Sequence, residues 1–355
     1  MKISIRLAFL AAAGAFLFLQ VRTLHAEPVD ARAQMWPDLY ESTNKEWVDY
    51  AEAGDSLSRV DFEKGRFEVQ ALILVPPSDA ETGAAEQLGD LDATQWERVR
   101  AAAQEKIARQ VERMLTKAEP GRAPVLNDQI LDPDDKFMVE AKHSGRFTRD
   151  HLIPQMVVED KPVIGADHKP RLRVKVQFDL IPEHMMVRAR RYKAQIAECA
   201  KKFDLEPALI YAVIHSESFF DPMSTSKVGA RGLMQLMPGA ASEADRFVSK
   251  AKKERPISAE VLYDPETNIK LGSAYMHMLQ SRYFSKIKNH AHRTALGIAA
   301  YNCGPFYVIK RVVAKNDLDA LSSEELLALL RRNVPRETKY YVPRVLERMA
   351  IYKDM

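Results

Sequence analysis

Cysteine is nearly missing from this chain: Cys199 and Cys303 are the two among 355 residues. Neither lies near the start, where a cysteine would be needed to carry an N-terminal lipid, so no lipid anchor is expected. An oxidising compartment permits a bridge between them, but sequence alone does not show that they meet. There is no HExxH, no CxxC and no phosphate-binding glycine loop. Those absences leave zinc-protease, dithiol and nucleotide-binding chemistry without support. The nine histidines are scattered and suggest no metal cluster. His215 stands two residues from Glu217, which on a helix puts the two on different faces. It reads as a packing or surface residue rather than a triad member. No internal repeat or low-complexity segment is found.

What is present is a globular composition, 46% hydrophobic and 28% charged, at a length that suits two domains. Lys2 and Arg6 precede an apolar run over 7–19, and Leu24-His25-Ala26 has the small-residue end of a cleavage site. Residues 1–26 therefore read as a cleaved secretory leader, too short in its apolar run for a spanning helix. The leader carries three basic residues and no acid, so the formal net charge of +3 falls to zero on cleavage. The remainder is lopsided. Residues 27–180 hold 21 Lys+Arg against 30 Asp+Glu, a net of −9, and 181–355 hold 28 against 19, a net of +9. Opposite signs suggest two domains, and a basic one attracts a polyanionic substrate. Nucleic acid is a poor candidate for an exported protein.

Taken in order, the acidic stretch over 42–53 predicts a helix. Val60, Phe62, Phe67, Val69, Ala71 and Ile73 alternate with polar neighbours around Lys64-Gly65, which predicts a β-hairpin. Over 94–118, Val99, Ala103, Ile107, Val111 and Met114 form one stripe of an amphipathic helix, stopped by Pro120-Gly121. Residues 124–170 read as loop. Leu172, Val174, Val176, Phe178 and Leu180 then alternate with Arg171, Arg173, Lys175, Gln177 and Asp179, a strand with one core face and one solvent face. From residue 185 the pattern is helical, with helices expected over 189–203, from Pro207, and over 265–283, 291–300, 305–315, 323–332 and 340–352. The expected fold class is α+β: an N-terminal α+β domain over 27–184, then an all-α domain over 185–355.

Glu217 directly follows an apolar helix and precedes Phe219-Phe220. A carboxyl there is partly desolvated, which raises its pKa and suits it to protonate a leaving oxygen. On composition alone it reads more readily as a surface glutamate in a last helical turn. Three further clusters follow. Gly229 and Gly232 allow close backbone approach, with Met234, Met237 and Gln235 offering an apolar wall and an amide. Tyr301 lies in a run that turns at Gly304-Pro305, and Pro335-Arg336-Glu337-Thr338 opens a helix. Each cluster alone is also an ordinary helix end or connecting loop.

Together the clusters resemble the soluble lytic transglycosylase (SLT) domain, a lysozyme-like fold that cleaves peptidoglycan. The resemblance covers roughly 190–352. It is carried in order by Glu217-Ser218, Ser226, Gly229-Ala230, Gly232-Leu233-Met234-Gln235, Met237-Pro238, Asn268-Ile269 with Leu271-Gly272, Ala300-Tyr301-Asn302 with Gly304, and Glu337-Thr338 with Tyr341. More loosely, the N-terminal half looks like the accessory domain of the membrane-bound lytic murein transglycosylase C family. The resemblance implies a catalytic acid/base at Glu217. It implies substrate contacts at Ser226, Met234, Gln235, Tyr301, Asn302, Glu337 and Tyr341, with no cofactor and no metal. Cys303 departs from the small residue common there, and the lipidated cysteine of the membrane-bound relatives is missing. The implied reaction cleaves the β-1,4 bond between N-acetylmuramic acid and N-acetylglucosamine and closes a 1,6-anhydro ring, with glycan strands as partner and the periplasm as location. The acidic N-terminal domain is expected to position the catalytic one on the wall or on another cell-wall protein. A lysozyme-type hydrolase and a non-catalytic wall-binding protein remain the alternatives.

Overall fold

The computed structural model describes residues 32, 35–36, 39–40, 42–43, 45–74, 91–118, 124, 126–159, 161–253 and 255–355. The leader expected over 1–26 and the Pro120-Gly121 stop lie outside the described residues. The architecture is α+β, an antiparallel sheet region followed by a helical one.

The sheet has six strands: β1 (Glu46–Tyr50), β2 (Ser56–Asp61), β3 (Arg66–Leu74), β4 (Val157–Val158), β5 (Val163–Ile164) and β6 (Pro170–Asp179). Their order is β1-β2-β3-β6-β4, with β5 also on β6, and every pairing is antiparallel. The hairpin β2–β3 closes at Asp61↔Arg66, with Gly65 at φ +64°. A Cβ at residue 65 would meet His184 Nε2 at 2.5 Å, so the turn needs glycine for its backbone and for its neighbour. Helix α1 (Ala93–Thr116) lies on one face, its stripe of Val99, Ala103, Ile107, Val111 and Met114 fully buried against Phe67, Val69, Ala71, Val174 and Val176. Asp92 caps it, accepting from Gln95 N at 2.7 Å while Gln95 Oε1 accepts from Asp92 N at 2.9 Å.

Three sequence expectations fail in this half. The stretch over 42–53 is not a helix: Glu46–Tyr50 is a strand paired with β2. Its Trp47 and Asp49 point inward, and Asp49 is held by Arg113 Nε at 2.7 Å and by Lys117. Pairing and this buried ion cluster override local helix preference. Residues 124–170 are not all loop: they contain short helical turns over 141–155 and strands β4 and β5. The second face of β6 is not simply solvated either. Arg171 is buried and held by both Asp167 oxygens at 2.8 and 2.5 Å, and Arg173 lies 5.5 Å over Trp36. A small cluster of Trp36, Leu57, Leu72 and Val163 covers that side.

The helical half comprises α2 (His184–Arg190), α3 (Lys193–Phe203), α4 (Pro207–Glu217), α5 (Pro238–Ser249), α6 (Pro265–Met278), α7 (His290–Cys303), α8 (Pro305–Arg311), α9 (Ser323–Asn333) and α10 (Arg336–Ile351). Proline opens α4, α5, α6 and α8, where its missing N–H has no intrahelical partner to lose. The helix expected over 189–203 breaks after Arg190, so Arg188 faces the sheet region while Ile196, Cys199, Ala200 and Phe203 face the helical core. Helix α5 was not anticipated in the sequence. The run over 305–315 breaks after Arg311, and the last helix begins four residues before the expected 340. Helix α4 is the axis of this half: all of 208–216 is buried, not only the stripe of Leu209, Ile210, Val213 and Ile214. Each fully buried Leu, Ile or Val stabilises the fold by about 1.5–3 kcal/mol. Cys199 and Cys303 are both free thiols. Among the described residues no helix is long and apolar enough to cross a membrane.

Candidate active site

Glu217 is the last residue of α4, half-buried at the end of the apolar axis. Helix α10 crosses there and meets the helix end at two places seven residues apart, two turns along one face. Tyr341 donates its hydroxyl to Glu217 Oε1 at 2.6 Å. Arg348 Nη1 donates to His215 O at 2.9 Å and to Ser216 Oγ at 3.1 Å, placing a cation on the carbonyl end of α4. His215 is a packing residue, as its spacing suggested: it is buried and its Nδ1 lies 3.0 Å from the Tyr352 hydroxyl.

Burial dominates the Glu217 carboxyl and pushes its pKa up to about 7. The Tyr341 hydrogen bond pulls it back down, the charge of Glu337 pushes up and that of Arg344 pulls down. Burial, reinforced by the Glu217 charge, holds the phenols of Tyr301 and Tyr341 well above their ordinary value, so both remain hydroxyl donors.

The segment after α4 folds back beside the acid. Ser218 Oγ donates to Leu233 O at 2.7 Å, and backbone bridges join Thr225 to Arg231 and Arg231 to Leu236. Asn268 on α6 holds this segment at two points and ties it to the turn before α6. Its Oδ1 accepts from Met234 N at 2.7 Å, and its Nδ2 donates to Leu262 O at 2.7 Å and Arg231 O at 3.0 Å. Gly232, at φ +74°, lies where any Cβ would strike Leu262 O and the Asn268 amide.

The residues singled out in the sequence occupy distinct places. Tyr301 donates to Met234 O at 2.8 Å and lies close enough to feel the Glu217 charge. Met234 itself is buried, its side chain against Gly272. Gln235 turns its amide inward, donating to Ser224 O at 3.0 Å and Gly232 O at 2.9 Å, with its Oε1 unpartnered. Asn302 Nδ2 donates to Glu337 Oε1 at 3.1 Å, and Thr338 donates to Asn302 Oδ1 at 2.6 Å, tying the end of α7 to the start of α10. Ser226 accepts from Ala230 N at 2.9 Å within its own turn and is not brought against Glu217 by any hydrogen bond described. Arg344 and Arg348 carried no signal in the sequence beyond their helical spacing from Tyr341. Asn268 stood within a quoted motif but without a role. Among the described residues no group of three His, Cys, Asp or Glu is placed to hold a metal ion.

The family model described as Transglycosylase SLT domain matches residues 194–321. That stretch is similar to the transglycosylase SLT family. It contains Glu217, Ser226, Met234, Gln235, Tyr301 and Asn302, while Glu337 and Tyr341 lie beyond the matched stretch. Among curated relatives, the chain is similar to membrane-bound lytic murein transglycosylase C of Edwardsiella ictaluri, 30% identical over 241 residues, which are 66% of this chain and 65% of the relative. The enzyme of that name from Salmonella paratyphi B is 31% identical over 189 residues, 52% of each chain. The matches thus span between about half and just under two thirds of these relatives' own lengths. Among solved structures, an inactive mutant of lytic transglycosylase Slt from Pseudomonas aeruginosa is 31% identical at a TM-score of 0.38, over 45% of this chain and 24% of that one. The 70 kDa soluble lytic transglycosylase of Escherichia coli is 28% identical at a TM-score of 0.36, over 46% and 24%.

Proposed function

We propose that the protein is a peptidoglycan lytic transglycosylase in which Glu217 acts first as general acid and then as general base. The observation that carries this is a carboxyl at the buried end of α4 whose pKa is pushed up to about 7, bonded to a tyrosine hydroxyl, inside an SLT domain. Such a group is protonated in a good fraction of molecules at neutral pH and still accepts a proton back after giving one up. The relatives named murein transglycosylases support murein as the substrate.

In the proposed reaction, protonated Glu217 gives its proton to the β-1,4 oxygen between N-acetylmuramic acid and N-acetylglucosamine. That bond breaks, and the muramyl acetamido group supports the cation left at C1. The Glu217 carboxylate then takes the proton from the muramyl 6-hydroxyl as its oxygen bonds to C1, closing the 1,6-anhydro ring. No water is consumed. Tyr341 orients the carboxylate and supports its anionic form between the two steps, and Tyr301 faces it from α7. Asn302 and Glu337 present polar groups at the opposite edge, while Met234, Gln235 and Ser226 belong to the segment that walls the groove. We place the enzyme in the cell envelope, exported to the periplasm by the leader over 1–26.

The test is mass spectrometry of muropeptides released from purified peptidoglycan, with Glu217→Gln alongside. The account expects products one water lighter than hydrolytic ones, and none from the variant. Hydrolytic products would make the protein a lysozyme-type hydrolase, and no products from either protein would favour a wall-binding role.

A further inference from the structure

Arg188 on α2 is only 1% exposed, and no carboxylate is described within hydrogen-bond reach of it. Its fork spends itself on neutral acceptors from three places. Nε donates to Phe219 O at 3.0 Å, Nη2 reaches Phe62 O at 3.4 Å, and Nη1 donates to Gln129 Oε1. Nη1 also lies 3.2 Å from His184 Nδ1, and the guanidinium rests 4.6 Å over the Phe62 ring. Phe62 and Gln129 belong to the sheet region, whereas Phe219 stands two residues after Glu217. Burial pushes the guanidinium down to about 9, which measures how unfavourable the setting is for a charge. Asp221 is close enough to offset part of that cost. An apolar side chain of similar size is often as stable at such a site or more so. What an apolar side chain lacks is a planar fork that fixes three acceptors at once.

The segment it grips needs fixing. Phe219 and Phe220 are consecutive left-handed residues at φ +53° and +63°, a backbone that persists only where its surroundings over-determine it. The Phe219 ring is seated in the core of the sheet region, with Arg348 5.1 Å and Lys45 5.8 Å from it. The ring is therefore seated against the sheet region, and the carbonyl is held by an arginine whose other oxygen acceptors, Phe62 O and Gln129 Oε1, lie in that region.

We infer that Arg188 is a positioning residue for Glu217, and that through it the sheet region sets the direction in which the acid leaves α4. Phe62 and Gln129 fix the guanidinium, the guanidinium fixes the Phe219 carbonyl, and that carbonyl fixes the chain two residues past the acid. The sheet region is then part of the catalytic apparatus, beyond any role in attachment to the wall. The inference rests on the proposed acid role of Glu217.

The test compares the full mature chain with Arg188→Met and Gln129→Met. Three things are measured: thermal midpoint, kcat and KM for anhydro-product release, and the Glu217 carboxyl titration by 13C NMR, assigned with Glu217→Gln. The groups that face the carboxyl are Tyr341, Glu337 and Arg344 on α10 and Tyr301 on α7. The charge of Arg188 is not among those that set it, so removing that charge alone leaves the titration in place. Arg188→Met is expected to fold, to lose roughly 10- to 100-fold in kcat with KM within about twofold, and to titrate below the wild-type value of about 7 as water enters. Gln129→Met should move all readouts the same way by less. A folded Arg188→Met with wild-type kcat and titration overturns the inference. If that variant does not fold, an unchanged kcat and titration in Gln129→Met overturns it. A wild type that releases no anhydro products defeats the catalytic reading instead, and the titration still decides whether Arg188 positions the carboxyl.

Discussion

The two halves of the molecule satisfy their buried polar groups in different ways. In the sheet region carboxylates are paired with cations: Asp49 with Arg113 and Lys117, Asp167 with Arg171, and fully buried Asp132 with Arg146 at 3.1 Å. In the helical half the hydrogen bonds nearest Glu217 are mostly between neutral groups: Asn268, Ser218 and Tyr301 bond to backbone groups, and Thr338 to the Asn302 amide oxygen. At the centre of that network Glu217 is bonded to a hydroxyl rather than to a cation. A directly bonded arginine would hold its pKa down and keep it ionised. Ion pairing fastens structure in the sheet region, and its avoidance at Glu217 suits the proton transfers proposed for it.

The strongest way to break this contrast is Glu217→Gln. It keeps the shape, removes the proton, and should lower turnover by about 10²–10⁴-fold or more on the released-muropeptide assay. It should also raise stability, and the sign follows from linkage. The folded pKa of about 7 lies above the unfolded value near 4.5. The contribution of the carboxyl is therefore fully present below about pH 4.5 and lost as pH rises through 7. The variant should gain on the order of 1–3 kcal/mol over wild type at pH 8, with the gain vanishing near pH 4, read by denaturant melts at both values.

Next in size is Asn268→Leu. It strands Met234 N, Arg231 O and Leu262 O beside the acid, costing about 3 kcal/mol or more in chemical denaturation and lowering kcat as the wall loosens. Tyr341→Phe sharpens the comparison. Its lost hydrogen bond should raise the Glu217 pKa further, shift the alkaline limb of the pH–rate profile, where the proton is lost, upward, and lower kcat by roughly tenfold. The smallest effect is expected in the other half: Asp49→Asn weakens the pairs to Arg113 and Lys117 and costs about 1–2 kcal/mol, with kcat unchanged. A kcat loss there as large as that of Tyr341→Phe would break the division of labour.

Much of this was legible where periodicity is local. The α1 stripe, the hairpin at Gly65 and the alternation of β6 are written in side-chain spacing, and each formed where expected. The apolar run before Glu217 marked a helix ending in a carboxyl, and the last turn of α4 carries it. What stayed hidden depends on partners distant in sequence. β1 is a strand because β2 and the Arg113–Lys117 end of α1 receive it, and its own residues read otherwise. Helix α5 lay behind Gly239 and two alanines, a composition that reads as connector. Phe219 looks like part of the helical core two residues from Glu217, yet its ring belongs to the core that Trp47 to Leu180 build. Arg188 shows no motif; its meaning is the three carbonyl-type oxygens that converge on it.

The central claim is that the fold keeps the Glu217 carboxyl without a bonded cation and protonated in a good fraction of molecules near neutral pH. The most direct test is its 13C titration in the wild-type protein, assigned by the signal that Glu217→Gln removes. The account predicts a midpoint near 7. A midpoint at the ordinary glutamate value of about 4.3 would contradict it, because the group would then be ionised when the proton is needed.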